Sequence, residues 1–147
     1  MVLSIPGYDL YKRYHQNKIN KFIHMLCIPM ISWSICVFLN TPLNLFLISY
    51  YTYLYNKILI YQIRFTRLAY LNIYIFFIWI MAHFFNTCGS NQNQIAFGIF
   101  CLSWIGQFIG HGVFEGNRPA LLDSLSHAVI YAPLFSYFEL EEFYLNL

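Results

Sequence analysis

The sequence predicts an all-α, polytopic integral membrane bundle of about four transmembrane helices plus a short re-entrant or interfacial C-terminal helix. Three observations predict it. Hydrophobic residues make up 59% of the 147 positions and aromatic ones 21%. Charged residues make up 10%, against about 25% in soluble domains. The charges are clustered, and the uncharged runs between them approach the roughly 20 apolar residues that cross a bilayer core. The length corresponds to one domain, residues 1–147.

The elements follow in order from that charge pattern. An N-terminal arm, about residues 1–21, carries Lys12, Arg13, Lys18 and Lys21. The first helix is expected over about 22–39. Thr41-Pro42 makes a turn, because Pro breaks a helix and fixes the chain direction. The second helix, about 43–55, is short, and its Tyr50, Tyr51, Tyr53 and Tyr55 suit a membrane interface. Lys57, Arg64 and Arg67 mark a connection, and the third helix follows over about 68–85. Asn86–Gln94 is a polar loop, and the fourth helix covers about 95–114. The C-terminal segment, about 118–140, holds an apolar stretch, Ala128–Phe138, too short to span and interrupted by Pro133.

Lys and Arg occupy the arm, the Lys57–Arg67 connection and the segment after the fourth helix. By the positive-inside rule, both termini face the cytoplasm. The membrane is then the endoplasmic reticulum in a eukaryote or the cytoplasmic membrane in a bacterium. A signal peptide is not expected, since the apolar run from Phe22 is long and lacks a small-residue cleavage site. High hydrophobicity excludes disorder. A net charge of +2 excludes a nucleic-acid-binding surface. Four scattered Cys exclude a disulfide scaffold, and Cys27, Cys36, Cys88 and Cys101 form no CxxC pair for thiol redox chemistry.

This topology sorts the five histidines. His15, His24, His111 and His127 fall at one membrane face, whereas His83 falls at the other. A single interfacial His is most simply an anchor or a satisfied buried group, but several converging from distant segments suit a metal, for which neutral imidazole is a common ligand. Gln107, His111 and Glu115 are spaced i, i+4, i+8 on one helix face. Gly106, Gly110 and Gly112 permit close approach of a neighbouring helix. Glu115 is either a fourth ligand, an acceptor that orients a His ring, or a partner of Arg118. Asn20 and His24 share a face. His15 lies nine residues before His24, about half a turn away on a continuous helix, so they meet only if the helix breaks near Asn17 and Asn20. Tyr11, four residues before His15, is placed to hydrogen-bond nearby. Pro119 and Asn117 suit the start of a further helix, with Asp123 one turn on. Arg118, whose fork matches a carboxylate, is with Asn20 and Gln107 a candidate for substrate binding.

Two segments carry a resemblance. The first is Tyr11-Lys-Arg-Tyr14-His15-Gln-Asn17-Lys-Ile-Asn20-Lys-Phe-Ile-His24-Met-Leu-Cys-Ile-Pro29. The second runs from Trp104 through Gln107, Gly110-His111, Phe114-Glu115 and Arg118-Pro119 to Asp123, followed by Ala132-Pro133-Leu-Phe135 and Glu139. Together they resemble the fungal and bacterial 2-hydroxy-fatty-acid dioxygenase family of membrane proteins, long catalogued as a domain of unknown function; the middle of the chain matches only as apolar helices. The resemblance implies an Fe(II)-dependent α-oxidation, with Fe(2+) as cofactor and a 2-hydroxy fatty acid and O2 as substrates. The acid, which arises in fungi from phytosphingosine breakdown, loses its carboxyl carbon as CO2 and leaves a fatty acid one carbon shorter. His15, His24 and His111 match the family's recurring histidines and become the expected metal ligands, with Glu115 beside them. His127 stands where relatives often carry Gln, and His83 belongs to no motif.

Other readings are weighed against this one. A di-iron desaturase needs about eight His in clustered boxes, and five dispersed His fall short. A zinc hydrolase shares the three-His requirement. A non-enzymatic scaffold or lipid-binding bundle would use the polar motif only to lock helices together.

Overall fold

In the computed structural model, residues 11–12, 15–39, 41–61, 63–116 and 125–145 are described. Every regular element among them is helical. Helix α1 spans Lys18–Phe38, α2 Thr41–Leu59, α3 Phe65–Phe85 and α4 Gln92–Ile109. A π-helical turn, Gly110–Glu115, continues α4, and α5 spans Leu125–Leu145. Three segments are long and apolar enough to cross a membrane: α1, α3, and α4 with its π-helical extension. Large apolar side chains such as Phe46, Phe65, Ile73, Phe77, Phe97 and Leu102 point outward, as they must where the solvent is lipid.

Helix α1 is the hub. It packs most extensively along α4 and also touches α3 and α5, while α2 pairs with α3. Two buried clusters mark the ends of the bundle. At one end Tyr55 and Leu59 of α2 meet Leu68 and Leu71 of α3 and Leu134, Phe135, Tyr137 and Phe138 of α5. At the other end Cys36 and Val37 of α1 meet Ala82 of α3 and Ala96 of α4. The start of α1, the end of α2, the start of α3 and the end of α4 therefore share the first end.

The departures from the expected boundaries have local causes. Helix α1 begins at Lys18 because Asn17 caps it, its Oδ1 accepting from Ile19 N at 2.8 Å and Asn20 N at 3.5 Å. Thr41-Pro42 is the first turn of α2 rather than a separate loop, a position where Pro costs no hydrogen bond. The Asn44 amide closes that corner, donating to Cys36 O at 2.6 Å and Leu39 O at 3.1 Å. Helix α2 runs to Leu59, and Tyr55 is a core residue instead of an interfacial one.

The C-terminal helix is the largest difference. It is 21 residues long and runs through Pro133, where a short element had been expected. Pro133 has no N–H, so the carbonyl four residues back, Val129, loses its helical donor. The Tyr51 hydroxyl supplies one at 2.9 Å, and the Tyr55 hydroxyl donates to Ile130 O at 2.6 Å. Arg67 grips Glu141 with two hydrogen bonds, Nε to Oε1 at 2.7 Å and Nη2 to Oε2 at 2.5 Å, a geometry that suits the guanidinium fork. Asn56 and Asn72 exchange amide hydrogen bonds between α2 and α3 at 3.1 and 3.2 Å.

Tyr55→Phe tests the clamp on α5. Removing this hydrogen bond to Ile130 O costs about 0.5–1.5 kcal/mol, so the variant is expected to unfold earlier in a detergent denaturation series. Unfolding at the wild-type midpoint would show that the clamp adds nothing.

Candidate metal centre

Two backbone features bring the histidines together. The chain is non-helical over residues 15–17 and turns into α1 only after Asn17. That break folds His15 back over His24, which a continuous helix forbids. On the other side α4 approaches α1 at two glycines. A Cβ on Gly106 would stand 2.9 Å from Cys27 Sγ, and one on Gly110 would stand 2.3 Å from Asn20 Oδ1. Neither space admits a methyl group, so glycine is required for this approach. Gly112 faces open space and has no such role.

The result is a compact triad. The His15, His24 and His111 ring centroids lie 4.4, 4.7 and 4.9 Å apart, each pair edge to face. All three are buried. His15 Nδ1 donates to Tyr11 O at 2.8 Å, and His24 Nδ1 donates to Asn20 O at 2.9 Å. A carbonyl accepts only from N–H, so both rings carry their proton on Nδ1 and hold Nε2 as a lone pair. His24 Nε2 stands 3.0 Å from His111 Nε2. His15 Nε2 and His111 Nδ1 have no hydrogen-bond partner. Burial drives the His15 imidazole down to about 3, against the pull of the Tyr11 carbonyl and with smaller pushes from His111 and Lys21. It is therefore neutral at physiological pH.

These features fit a cation. One nitrogen from each His lies within 4.8 Å of the others, and neutral imidazole is the ligating form. Two nitrogens at about 2.1 Å from one ion and at right angles stand about 3 Å apart, the observed His24–His111 spacing. The backbone acceptors behind His15 and His24 fix tautomer and ring orientation, as carbonyls do behind metal-binding imidazoles.

Glu115 lies outside this triad. Its Oε1 accepts from Asn17 N at 2.7 Å and from Asn20 Nδ2 at 3.2 Å. It ties the end of the π-helical turn to the start of α1, and so holds the break that places His15. The π-turn ends at Gly116, whose φ of 69° favours glycine. Asn20 is fully buried between His24 and Glu115, and its Oδ1 has no partner. Gln107 is also buried, with Nε2 unbonded among the described residues. His83 sits at the far end of α3, stacked on Trp79. Asn117, Arg118, Pro119 and Asp123 lie outside the described residues, and so does the pairing of Arg118 with Glu115; of His127 only its place in α5 is described.

Two neighbours complete the surroundings: Tyr11, expected to hydrogen-bond near His15, and Glu139, which had no expected role. Tyr11 stacks on His15 at 3.9 Å and touches Phe135 of α5 at 4.4 Å. One turn beyond Phe135, the side chain of Glu139 is 9% exposed and lies 3.9 Å from Lys21 Nζ. Burial raises its carboxyl to about 7; Tyr11 and Lys21 pull it down, and Glu142 and Glu115 push it up. The sequence signal was present but weak. Glu139 ends an apolar run, and Lys21 precedes His24 by three residues, whereas their meeting depends on how α5 docks.

Comparison with known proteins identifies a family. Residues 6–143 match a family model described as 2-hydroxy-palmitic acid dioxygenase Mpo1-like. A curated relative, 2-hydroxy-palmitic acid dioxygenase MPO1 of Saccharomyces cerevisiae, is 55% identical over 42 residues, or 29% of this chain. The match spans 24% of that relative's length. No solved structure matches the chain.

Two outcomes are expected. Gly110→Ala forces Asn20 aside and is expected to lose about 1–3 kcal/mol of stability together with bound metal, whereas Gly112→Ala changes neither; thermal unfolding and metal analysis read both. The second concerns pH. Folded His15 stays neutral down to about 3, whereas the unfolded ring takes up a proton near 6.5. The unfolded state therefore binds more protons in that window, and stability falls as pH drops from about 6.5 towards 3. In metal-free protein, His15→Gln is expected to flatten this acid loss; an unchanged slope would assign it to other groups.

Proposed function

The chain belongs to the Mpo1-like family, and from that premise we propose that it is an Fe(II)-dependent dioxygenase acting on 2-hydroxy fatty acids at a membrane. The observation that carries the reading is the buried triad of His15, His24 and His111, with two of the rings oriented by backbone carbonyls. The overall reaction balances as 2-hydroxy acid plus O2 giving the fatty acid one carbon shorter, CO2 and water. Bound Fe(II) would supply O2 activation and Lewis-acid polarisation of the substrate oxygens.

The chain's own residues supply position and environment. The three imidazoles of His15, His24 and His111 would hold the ion while leaving room beside it for substrate and O2. The Glu115 tie and the Asn20 carbonyl hold two of the rings before any ligand arrives, so little order remains to be gained on binding. Burial keeps the His15 imidazole unprotonated and limits access of bulk water. Gln107, one turn before His111, offers an unbonded amide donor to a carboxylate. Arg118 remains a candidate for the same task. The outward apolar faces of α1, α3 and α4 allow an acyl chain to stay in lipid while its headgroup reaches the histidines.

The test is product analysis with purified protein in detergent, loaded with Fe(II) and given 2-hydroxypalmitate and O2. The expected product is a fatty acid one carbon shorter. His15→Ala, His24→Ala and His111→Ala are expected to stay folded, lose iron and lose turnover by at least about a hundredfold, while His83→Ala keeps all three properties. Folded, fully active triad variants would overturn the site. Retained zinc with no O2 consumption would turn the reading to a hydrolase, and loss of stability without metal loss in His111→Ala to a scaffold.

A further inference from the structure

The Lys21–Glu139 pair is the feature that the triad does not absorb. Glu139 is a largely buried carboxyl group at the edge of the triad, and its polar neighbours are the Tyr11 hydroxyl and the Lys21 ammonium. Such a group is costly unless something completes it. Its ionic partner, the Lys21 ammonium, is 3.9 Å away, at the limit of an ion pair, and about one-third exposed. The pair also adjoins the triad. Lys21 lies on α1 one turn before His24, and its charge acts on His15. Glu139 faces Tyr11, the residue stacked on His15.

The two groups are chemically complementary to one headgroup. A carboxylate oxygen accepts a hydrogen bond from a hydroxyl. An ammonium attracts a carboxylate. A 2-hydroxy acid carries a hydroxyl and a carboxylate on adjacent carbons, a few ångströms apart, as Glu139 and Lys21 are. An unsubstituted fatty acid offers Lys21 its charge but brings no hydroxyl to Glu139.

We propose that Lys21 and Glu139 together read the 2-hydroxy acid headgroup, Lys21 holding the carboxylate and Glu139 accepting the 2-hydroxyl, so that Glu139 sets the preference for hydroxylated over plain fatty acids. This inference rests on the dioxygenase reading above. It assigns specificity to residues outside the metal-binding set, and it leaves the bond-breaking step to that set.

The experiment measures binding rather than turnover. Fe(II)-loaded protein in detergent, kept free of O2, is titrated with 2-hydroxypalmitate, palmitate and 2-hydroxypalmitate methyl ester. Wild type is expected to favour 2-hydroxypalmitate over palmitate. Glu139→Leu is expected to shrink that preference by about tenfold or more, the worth of one buried hydrogen bond. Lys21→Met is expected to weaken both acids by a similar factor, keep the hydroxyl preference and leave ester binding unchanged.

A full hydroxyl preference in Glu139→Leu would overturn the proposal and leave the dioxygenase reading standing, since the metal alone would then account for it. Wild-type protein that binds none of the three would overturn the dioxygenase reading itself. If Glu139→Leu does not fold, Lys21→Met and the ester decide. A part-exposed lysine tolerates substitution, and equal loss of acid and ester in Lys21→Met would overturn the headgroup assignment.

Discussion

The close approach of α1 and α4 is the constraint on which the rest of the site depends. At Gly110 the two backbones are separated by little more than the Asn20 side chain. That contact sets the height at which His111 faces His24, and it places Glu115 one turn further on, where it meets the open start of α1. Glu115 then receives the Asn17 N–H and the Asn20 amide. A residue 98 positions away in sequence from Asn17 thus fixes the break that allows His15 to return. If the helices stood apart by one methyl group, all three histidines would lose their mutual distances together.

The π-helical turn serves the same geometry. An α-helix carried through to Glu115 would drift around its axis, whereas the wider turn changes the angle at which His111 and Glu115 leave the backbone. It also ends at Gly116 in a conformation that lets the chain turn away immediately after Glu115. The backbone irregularities on both sides, residues 15–17 and Gly110–Glu115, meet at one end of the bundle. The internal prolines, Pro29 in α1 and Pro133 in α5, lie within helices that continue through them.

Composition and charge spacing made the bundle legible, because lipid demands long apolar runs and confines charge to their ends. The convergence of His15, His24 and His111, and the exclusion of His83, were legible for the same reason: alternation of direction sorts residues by end. What could not be read was anything requiring a partner helix. Tyr55 looks interfacial in sequence, yet it lies in the core because α5 presents the Ile130 carbonyl beside Pro133. The C-terminal helix looks too short because Pro133 reads as a stop, and only the hydroxyls of Tyr51 and Tyr55 remove the reason to stop. For Glu115 the sequence leaves a ligand, an orienting acceptor and a partner of Arg118 open, because the Asn17 N–H that it accepts belongs to a distant segment. Lys21 and Glu139 carry no motif that joins them.

The polar atoms left without partners show where the fold is incomplete on its own. His15 Nε2, His111 Nδ1, Gln107 Nε2 and Asn20 Oδ1 belong to residues gathered at one end of the bundle, and Asn44 Oδ1 lies at the opposite corner. Each is a cost the protein bears in the absence of a ligand. A cation bound by the histidines removes part of that cost only in the folded state, so it stabilises the fold as it binds. A headgroup between Lys21 and Glu139 would stabilise the same end. The far end of the bundle, built from small and apolar residues around Ala82 and Ala96, gains nothing from either. Under the proposed function, a metal and a headgroup bound there would stiffen the triad end selectively, and α1, which packs on α3, α4 and α5, would pass that gain to the rest of the bundle.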